Sequence, residues 1–309
     1  MARSSPSAAG AWLVVCAVAG LAGAAEPLAI AWEKNTLTIS GAHLAGGEIT
    51  INYLEAYCRA GSTDADWVKH TVVGHTTRLV EAAADKTLLR LEDSVRDGLR
   101  VSHEIRSTPD EVRFEIKAHN PTTRRSEAHW AQPCIRLAKF TGADQETYLG
   151  KSFVFLDGRL ARMPTRDWAT RARYTPGQVW CPPHVDRGDV NPRPLSPLVT
   201  SNGLIGCFSA DGKQVFGTAF EPYQELFQGV IRCLHSDLRL GGLQPGETKR
   251  IRGRIYLMKA DPQALRDRYA RDFPEHRPSR IVRKAASPAK QPGTAVTPGA
   301  AASASGPTP

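Results

Sequence analysis

The 309-residue sequence lacks the features of several common protein classes. It has no internal repeat, no glycine-rich phosphate loop and no interior linker rich in glycine or serine, which disfavours repeat architectures, P-loop nucleotide binding and multiple domains. Its cysteines are few and widely spaced and form no Cys-x-x-Cys pair, which excludes a disulfide-dense scaffold. A domain of about 250 residues buries enough apolar surface to fold without such cross-links.

The two ends of the chain differ in composition from the part between them. Residues 1–25 combine an early basic residue with a short run rich in alanine and glycine and a small-residue ending, which predicts a secretory signal peptide rather than an uncleaved anchor. Residues 277–309 are rich in Pro, Ala and Ser, with five basic residues and no acid, which predicts a disordered tail. We therefore expect one domain over residues 26–276, in a secreted or periplasmic protein.

The positive charge of the chain is concentrated in these ends. The whole sequence has 40 basic and 31 acidic residues, a net charge of +9. Removing the six basic residues of the two ends leaves 34 basic and 31 acidic residues, a net charge of +3. A nearly balanced domain argues against nucleic acid as a partner. No membrane span is expected once the signal peptide is removed.

Alternating apolar and polar residues predict many β-strands. In "LRVSHEIRS" and "VRFEIKAH" every second residue is apolar, and "STPD" between them predicts a turn, so the two segments form a half-buried antiparallel hairpin. Similar patterns occur in "TLTIS", "EITINYLEAY", "KTLLRLED" and "RIRGRIYL". The predicted fold class is all-β, a large antiparallel two-sheet β-sandwich of supersandwich type.

One helix is well marked, near the end of the predicted domain. In "ADPQALRDRYARDF", Asp261 can cap the helix and Pro262 suits its first position. Leu265, Tyr269 and Phe273 form an apolar stripe, which predicts a short C-terminal helix packed onto the sheets.

The segment "QVWCPPHVDRGDVNPRPLSP", residues 178–197, shows no regular pattern. Such a long irregular segment inside a compact domain is usually functional or disordered. Five of its residues are proline, which lowers the entropy of the unfolded chain and allows an ordered loop. Trp180, with Tyr174 just before the segment, could contact the face of a sugar ring, although ordinary loop anchors have the same composition.

A metal site is not expected from the sequence. Cys181 and His184 could reach one metal ion, but zinc needs further ligands, and Cys134 and His129 could supply them only if the fold brought all four together. We therefore expect no metal and no cofactor. Buried free thiols are the favoured interpretation for at least two of the cysteines that follow the signal peptide: Cys58, Cys134, Cys181, Cys207 and Cys233.

Histidines on strands have two interpretations each. His103 lies on the apolar face of its strand, which favours a core histidine with satisfied hydrogen bonds. In "IRCLHSDLRLGG", the residues Cys233, His235 and Asp237 share one strand face. His235 is therefore either a base oriented by Asp237 or a partner in a structural hydrogen bond.

Three motifs occur in a characteristic order. "HNPTTRRSEAHW" contains His129 and ends at Trp130, "FEPYQ" contains Glu221 and Tyr223, and "QPGETKRIRGRIYL" is a turn followed by a strand. In this order the sequence resembles the galactose mutarotase-like (aldose 1-epimerase-like) supersandwich proteins, and it also resembles a group of exported bacterial proteins. The first resemblance implies a sugar substrate, with Glu221 as the base at the anomeric hydroxyl and His129 as the proton donor to the ring oxygen.

The sequence thus predicts an exported carbohydrate-interacting protein, with a small sugar or a polysaccharide as partner. Whether it is an enzyme stays open between an epimerase-like protein using His129 and Glu221 and a non-catalytic carbohydrate-binding or structural module. A metal-dependent hydrolase using Cys181 and His184 is a further alternative. The predicted substrate-binding residues are Trp130, Tyr174, Trp180, His184, Tyr223 and His235.

Overall fold

A computed structural model of the chain describes residues 25–61, 67–168 and 177–276. Its strands are β1 (Ala29–Glu33), β2 (Thr36–Ser40), β3 (Glu48–Cys58), β4 (Val72–Val73), β5 (His75–Ala82), β6 (Leu88–Val95), β7 (Arg100–Ser107), β8 (Glu111–His119), β9 (Trp130–Arg136), β10 (Ser152–Leu156), β11 (Arg159–Arg162), β12 (Gln178–Trp180), β13 (Ile205–Phe208), β14 (Gln214–Glu221), β15 (Tyr223–Gln228), β16 (Cys233–Arg239) and β17 (Thr248–Lys259). Its helical elements are a π-helical turn (Trp67–Thr71), α1 (Ala138–Thr141), α2 (Pro262–Asp272) and two 3-10 turns (Leu149–Lys151 and Pro274–His276).

The strands form two large antiparallel sheets. Sheet 1 runs in the order β1-β2-β3-β9-β16-β15-β12, with β4 paired to β3. Sheet 2 runs in the order β11-β10-β13-β14-β17-β8-β7-β6-β5. The predicted all-β, two-sheet sandwich with a short C-terminal helix is confirmed.

The core lies between the inner faces of the two sheets. In sheet 1, Ile51 of β3 is paired with Ile135 of β9, and in sheet 2, Val112 of β8 is paired with Ile255 of β17. All four belong to one buried apolar cluster. Because alternate residues of a strand point to opposite faces, each strand contributes every second side chain to this core. Burying one such side chain contributes about 1.5–3 kcal/mol.

Helix α2 covers part of the outer face of sheet 2. The side chain of Asp261 accepts hydrogen bonds from the backbone N–H groups of Gln263 and Ala264, as expected for its predicted capping role. Leu265 and Tyr269 are buried in a second apolar cluster, with side chains from sheet 2. The predicted helix and its apolar stripe are confirmed.

A loop covers the outer face of sheet 1. The proline-rich loop, residues 181–197, follows β12 and returns beside it, where the N–H of Val179 donates to Pro194 O (2.9 Å) and the N–H of Ser196 donates to Val179 O (2.8 Å). Its apolar side chains pack with Phe227 of β15. The irregular segment is thus an ordered covering of sheet 1.

The cysteines agree with the interpretation as buried thiols. In the described part of the chain, free and buried thiols occur at Cys58, Cys134, Cys181, Cys207 and Cys233. No helix among the described residues has the length and apolarity needed to cross a membrane.

Candidate functional site

The alternation along β16 divides its side chains between the core and the outer face of sheet 1. Leu234 and Leu238 belong to the core cluster. Cys233, His235 and Asp237 therefore point to the outer face, away from sheet 2. This agrees with the strand face predicted for these three residues.

The neighbouring strands add to this outer face. The register between β9 and β16 places Cys134 opposite His235, and Glu225 of β15 is paired with Asp237. These side chains are at most 2% exposed although they point away from the core, because the proline-rich loop lies over them. The outer-face cluster is defined as Cys134, Glu225, Cys233, His235 and Asp237.

Two carboxyl groups of this cluster lack hydrogen-bond partners on some of their oxygens. The N–H of Asn191 donates to Glu225 Oε2 (2.8 Å). Among the described residues, Glu225 Oε1 and Asp237 Oδ2 have no partner. Burial raises the pKa of both carboxyl groups, and the neighbouring Asp237 raises that of Glu225 further. Unpaired buried oxygens of this kind are costly to the fold and available to a ligand.

The imidazole of His235 lies between a carboxyl group and two thiols. Its Nδ1 is 3.3 Å from Asp237 Oδ1, and its Nε2 is 3.4 Å from Cys233 Sγ. Burial acts to lower the pKa of His235, but Cys134 and Asp237 outweigh it and raise the pKa. Within the described residues, Cys134, Cys233 and His235 are the only group of three or more potential metal ligands whose donor atoms all lie within 4.8 Å of one another.

A cavity of about 190 Å³ opens beside this cluster. Amide and carboxylate groups line one part of it, where Gln132 Nε2 donates to Glu55 (2.7 Å) and Asn191 Nδ2 donates to Gln132 Oε1 (3.5 Å). Trp67 and Phe227 supply aromatic surface. The Oδ1 atom of Asn191 has no partner among the described residues. The cavity therefore combines apolar ring surface with hydrogen-bonding groups.

Asp189 fixes the proline-rich loop over the cavity. Its backbone oxygen accepts a hydrogen bond from the side chain of Gln224, and its Oδ1 accepts one from the N–H of Gly61 (3.0 Å). Its Oδ2 is 3.7 Å from His129 Nδ1 and 3.6 Å from the guanidinium of Arg239. Burial acts to raise the pKa of Asp189, but these neighbours outweigh it and lower the pKa. An ionised carboxylate thus holds the loop to sheet 1.

The two predicted catalytic residues have separate partners. His129 faces Asp189, whereas Glu221, at the end of β14, is hydrogen-bonded to His276 Nε2. No hydrogen bond or ion pair joins His129 to Glu221 in the described part of the chain. Arg239 contacts a neighbour of each residue. Its backbone N–H donates to the carbonyl oxygen of Pro222 (2.9 Å), the residue after Glu221, and its guanidinium is close to Asp189, which faces His129. Their catalytic pairing stays a prediction.

The predicted aromatic contacts lie in different surroundings. Trp180 is fully buried in the core and packs against Trp168, with ring centroids 6.0 Å apart. It therefore anchors the loop, the alternative that the sequence left open, and it is not among the residues that line the cavity described above. Trp130 is also fully buried, on the outer face beneath Trp67 (6.1 Å). Tyr174 lies outside the described residues.

His184 and Tyr223 form a ring cluster beside Glu221. Their ring centroids are 6.1 Å apart, and Tyr223 is 5.3 Å from the ring of His276. The Sγ of Cys181 instead contacts the backbone oxygens of Pro182 and Val185 within the loop. The predicted pair of Cys181 and His184 is therefore not part of a group of three potential ligands among the described residues.

Several residues that line the cavity, and Glu225, which holds Asn191 beside it, were not predicted as site residues from the sequence. Glu55, Gln132 and Glu225 occur on strands whose alternate residues are apolar, and Asn191 occurs in a segment without a pattern. The detectable signal was a polar side chain on a strand that is otherwise buried, as in "YQELFQ" of β15. That signal indicates a polar position, but only the pairing of distant strands shows that these positions meet.

Comparisons with known proteins give remote similarities. A scan against protein-family models found no match, and no curated protein matches either. A candidate aldose 1-epimerase from Escherichia coli K12 is 12% identical with a TM-score of 0.41, over 75% of this chain and 99% of that one. A galactose mutarotase-like protein from Lactobacillus casei ATCC 334 is 8% identical with a TM-score of 0.35, over 74% and 99%. The α-galactosidase from Lactobacillus brevis is 11% identical with a TM-score of 0.38, over 70% of this chain and 31% of that one.

The chain is an all-β protein built from two antiparallel sheets. Its remote resemblance to mutarotase-like proteins, expected from three sequence motifs, is found again among solved structures. Similarity at this level transfers no residue roles, so the site is defined by the contacts of this chain alone.

Proposed function

We propose that the chain binds a single sugar ring in the cavity on the outer face of sheet 1. The observation that carries this proposal is the combination of aromatic and hydrogen-bonding side chains around a cavity of about 190 Å³, beneath an ordered loop. Sites for small ligands characteristically join apolar or aromatic walls to a few placed polar groups.

The polar groups of the cavity fit the hydroxyl groups of a sugar. A hydroxyl donates one hydrogen bond and accepts others, so it pairs with both carboxylate and amide groups. Asn191 Oδ1 can accept, and Gln132 and Glu55 already form a bonded row beside it. The rings of Trp67 and Phe227 offer apolar surface for the C–H face of a sugar.

The size of the cavity favours one ring over a longer chain. Pockets for drug-sized ligands hold about 300–1,000 Å³, and this cavity is smaller. An exposed side chain, Ile231, lies at its edge, which gives the cavity an apolar rim. A terminal residue of a polysaccharide could enter by the same opening.

Calorimetric titration with a panel of monosaccharides tests this proposal. We expect one sugar to bind, and we expect Gln132→Ala and Asn191→Ala each to weaken binding about ten-fold, the effect of losing one hydrogen bond. Gln263→Ala, on the exposed face of α2, is the matched control and should bind as the wild type does. If no sugar binds, or if all variants bind equally, the cavity is not a sugar site.

Epimerase-like catalysis by His129 and Glu221 is a second candidate function. It is favoured by Arg239, whose backbone N–H donates to Pro222 O (2.9 Å), next to Glu221, and whose side chain lies 3.6 Å from Asp189, the residue that faces His129. An acid and a base in the right positions each contribute about 10²–10⁴-fold to proton transfer.

Polarimetry on the sugar that binds tests the catalytic candidate. His129→Asn and Glu221→Gln should each abolish the acceleration of mutarotation and preserve binding. His119→Asn, an exposed histidine bonded to Thr248 (2.9 Å), serves as the control. Wild-type protein that binds sugar without accelerating mutarotation would identify a binding module instead.

Export remains part of this proposal. The signal peptide predicted over residues 1–25 would place the site outside the cytoplasm, where free sugars and polysaccharide ends are common ligands. Sequencing the amino terminus of secreted or periplasmic protein tests it, with a start at Ala25 or Glu26 expected. A mature chain that retains Met1 would contradict export by cleavage.

A further inference from the structure

We infer that Cys134, Cys233 and His235 bind a zinc ion at the floor of the cavity. This inference goes beyond the binding of a sugar and does not depend on it. The expectation of a metal-free protein was drawn from the single pair Cys181 and His184, and the fold brings together a different set of residues.

Strand geometry places the three donor groups on one small triangle. Cys233 and His235 are two residues apart on β16, so they share a face, and the register of β9 puts Cys134 opposite His235. All three donor atoms lie within 4.8 Å of one another. The donors therefore come from two paired strands of a rigid sheet.

The distances fit tetrahedral coordination. Zinc bonds of about 2.3 Å to sulfur and 2.0–2.1 Å to nitrogen place neighbouring sulfur and nitrogen ligands about 3.5 Å apart. His235 Nε2 lies 3.4 Å from Cys233 Sγ. Two thiolates and one imidazole are a ligand set typical of zinc, which leaves a fourth position for water or substrate. All three residues line the cavity, so that position is reachable from it.

Asp237 orients the imidazole for this role. Its Oδ1 lies 3.3 Å from His235 Nδ1, so the other ring nitrogen, Nε2, faces the thiols. Histidines that bind metals almost always have a carboxylate or carbonyl beside the second ring nitrogen, and Asp237 lies at ion-pair distance for that role. Asp237 is thus a positioning residue, which accounts for a fully buried carboxylate in sheet 1.

A cation lies beside one of the two thiols. Arg136 Nε donates to Cys134 Sγ (3.2 Å). A guanidinium at this distance can balance part of the negative charge that two thiolate ligands bring to a metal site. Two thiols outside this group differ. The thiol of Cys181 donates to backbone oxygens of its own loop, and Cys207 packs in the apolar core. Among the described cysteines, Cys134 is the one whose thiol accepts a hydrogen bond from an arginine and belongs to a group with a second thiol and an imidazole.

The test uses the full-length chain, reduced, stripped of metal by a chelator and then titrated with Zn²⁺ in competition with a chromophoric chelator. We expect one zinc ion per chain. Cys134→Ser and Cys233→Ser should each weaken binding by at least 100-fold, whereas Asp237→Asn should weaken it about 10–100-fold. Cys207→Ser, which removes a buried thiol of the core cluster outside the triangle, should bind zinc as the wild type does.

Cobalt(II) provides a second readout, and its wild-type arm does not depend on any variant folding. When Co²⁺ replaces zinc, thiolate ligands give a charge-transfer absorption in the near ultraviolet. We expect this band in the wild type and in Cys207→Ser, and a weaker band in Cys233→Ser, which keeps only the Cys134 thiolate. Absence of that band in the wild type would overturn the inference. So would zinc binding that survives both Cys→Ser changes, or a disulfide between Cys134 and Cys233 in the protein as isolated.

Discussion

Two groups of buried polar side chains differ in how completely they are hydrogen-bonded. The core cluster, Tyr53, Tyr57, Asp93 and His103, lies between the sheets. The outer-face cluster lies on sheet 1 beneath the proline-rich loop. Both are almost fully buried. Since burying polar groups is costly unless they are paired, the difference in pairing indicates what each cluster is for.

The core cluster is joined by a chain of three hydrogen bonds, and Asp93 Oδ1 is its one buried polar atom without a partner among the described residues, against four in the outer-face cluster. His103 Nδ1 accepts from the hydroxyl of Tyr53 (2.9 Å), and Nε2 donates to Asp93 Oδ2 (3.0 Å), which also accepts from the hydroxyl of Tyr57. The prediction of a satisfied core histidine at position 103 is confirmed. Such a network stabilises one packing of the two sheets.

The outer-face cluster is arranged differently. Two carboxyl groups lie together, with Glu225 Oε1 and Asp237 Oδ2 unpaired among the described residues, and the adjacent Asn191 Oδ1 is unpaired as well. A fold selected only for stability would replace these groups. The comparison therefore suggests that the core cluster serves the fold and the outer-face cluster serves a ligand.

The largest expected loss of stability comes from a substitution in the core cluster. Asp93→Asn removes the charge that pairs with His103 and one acceptor oxygen, so we expect the free energy of unfolding to fall by about 3 kcal/mol. This corresponds to a melting temperature lower by roughly 6–12 °C. Calorimetry or urea unfolding measures it. The control is Asp167→Asn, at a side chain 59% exposed, which should change little.

Asp93 should also make the free energy of unfolding depend on pH. Burial acts to raise the pKa of Asp93, but His103 and Tyr57 outweigh it and lower the pKa. Its stabilising contribution is therefore complete above the unfolded-state pKa of about 3.9, and it is lost as the pH falls through the lower folded-state value. Unfolding measured at decreasing pH should show a smaller acid-induced loss in Asp93→Asn than in the wild type. Equal losses would mean that other carboxylates account for the acid sensitivity.

The smallest expected effect is a gain in stability rather than a loss, and it comes from a change in the outer-face cluster. Glu225→Gln keeps an oxygen for the N–H of Asn191 and supplies an amide that can donate to Asp237, so no proton has to be held between two buried carboxyl groups. We expect metal-free protein to become more stable by about 0.5–2 kcal/mol. Glu33→Gln, 81% exposed in its side chain, is the control. A loss of stability like that of Asp93→Asn would remove the distinction between the clusters.

Local sequence patterns predicted the elements of the fold. Alternation predicted the β7–β8 hairpin, and Asp261 and Pro262 predicted the start of α2. Each of these depends on residues close together in the chain. The sandwich class follows from the number of such strands.

The candidate site depends on contacts that no local pattern contains. Cys134 lies opposite His235 only because β9 and β16, about a hundred residues apart in sequence, are neighbours in sheet 1. The sequence leaves Trp180 open between sugar contact and a loop anchor, because β12 has only three residues, too few to show which side chain faces the core. The shared face of Cys233, His235 and Asp237 was predictable, and their partners were not.

The most direct test of the central claim measures sugar affinity and unfolding free energy together in wild-type protein and Glu225→Gln. If the outer-face cluster is maintained for a ligand, Glu225→Gln should be the more stable protein and should bind the sugar more weakly, because it changes the group that holds Asn191 at the cavity. A variant that is less stable and binds the sugar with unchanged affinity would show that the outer-face cluster serves the fold, as the core cluster does.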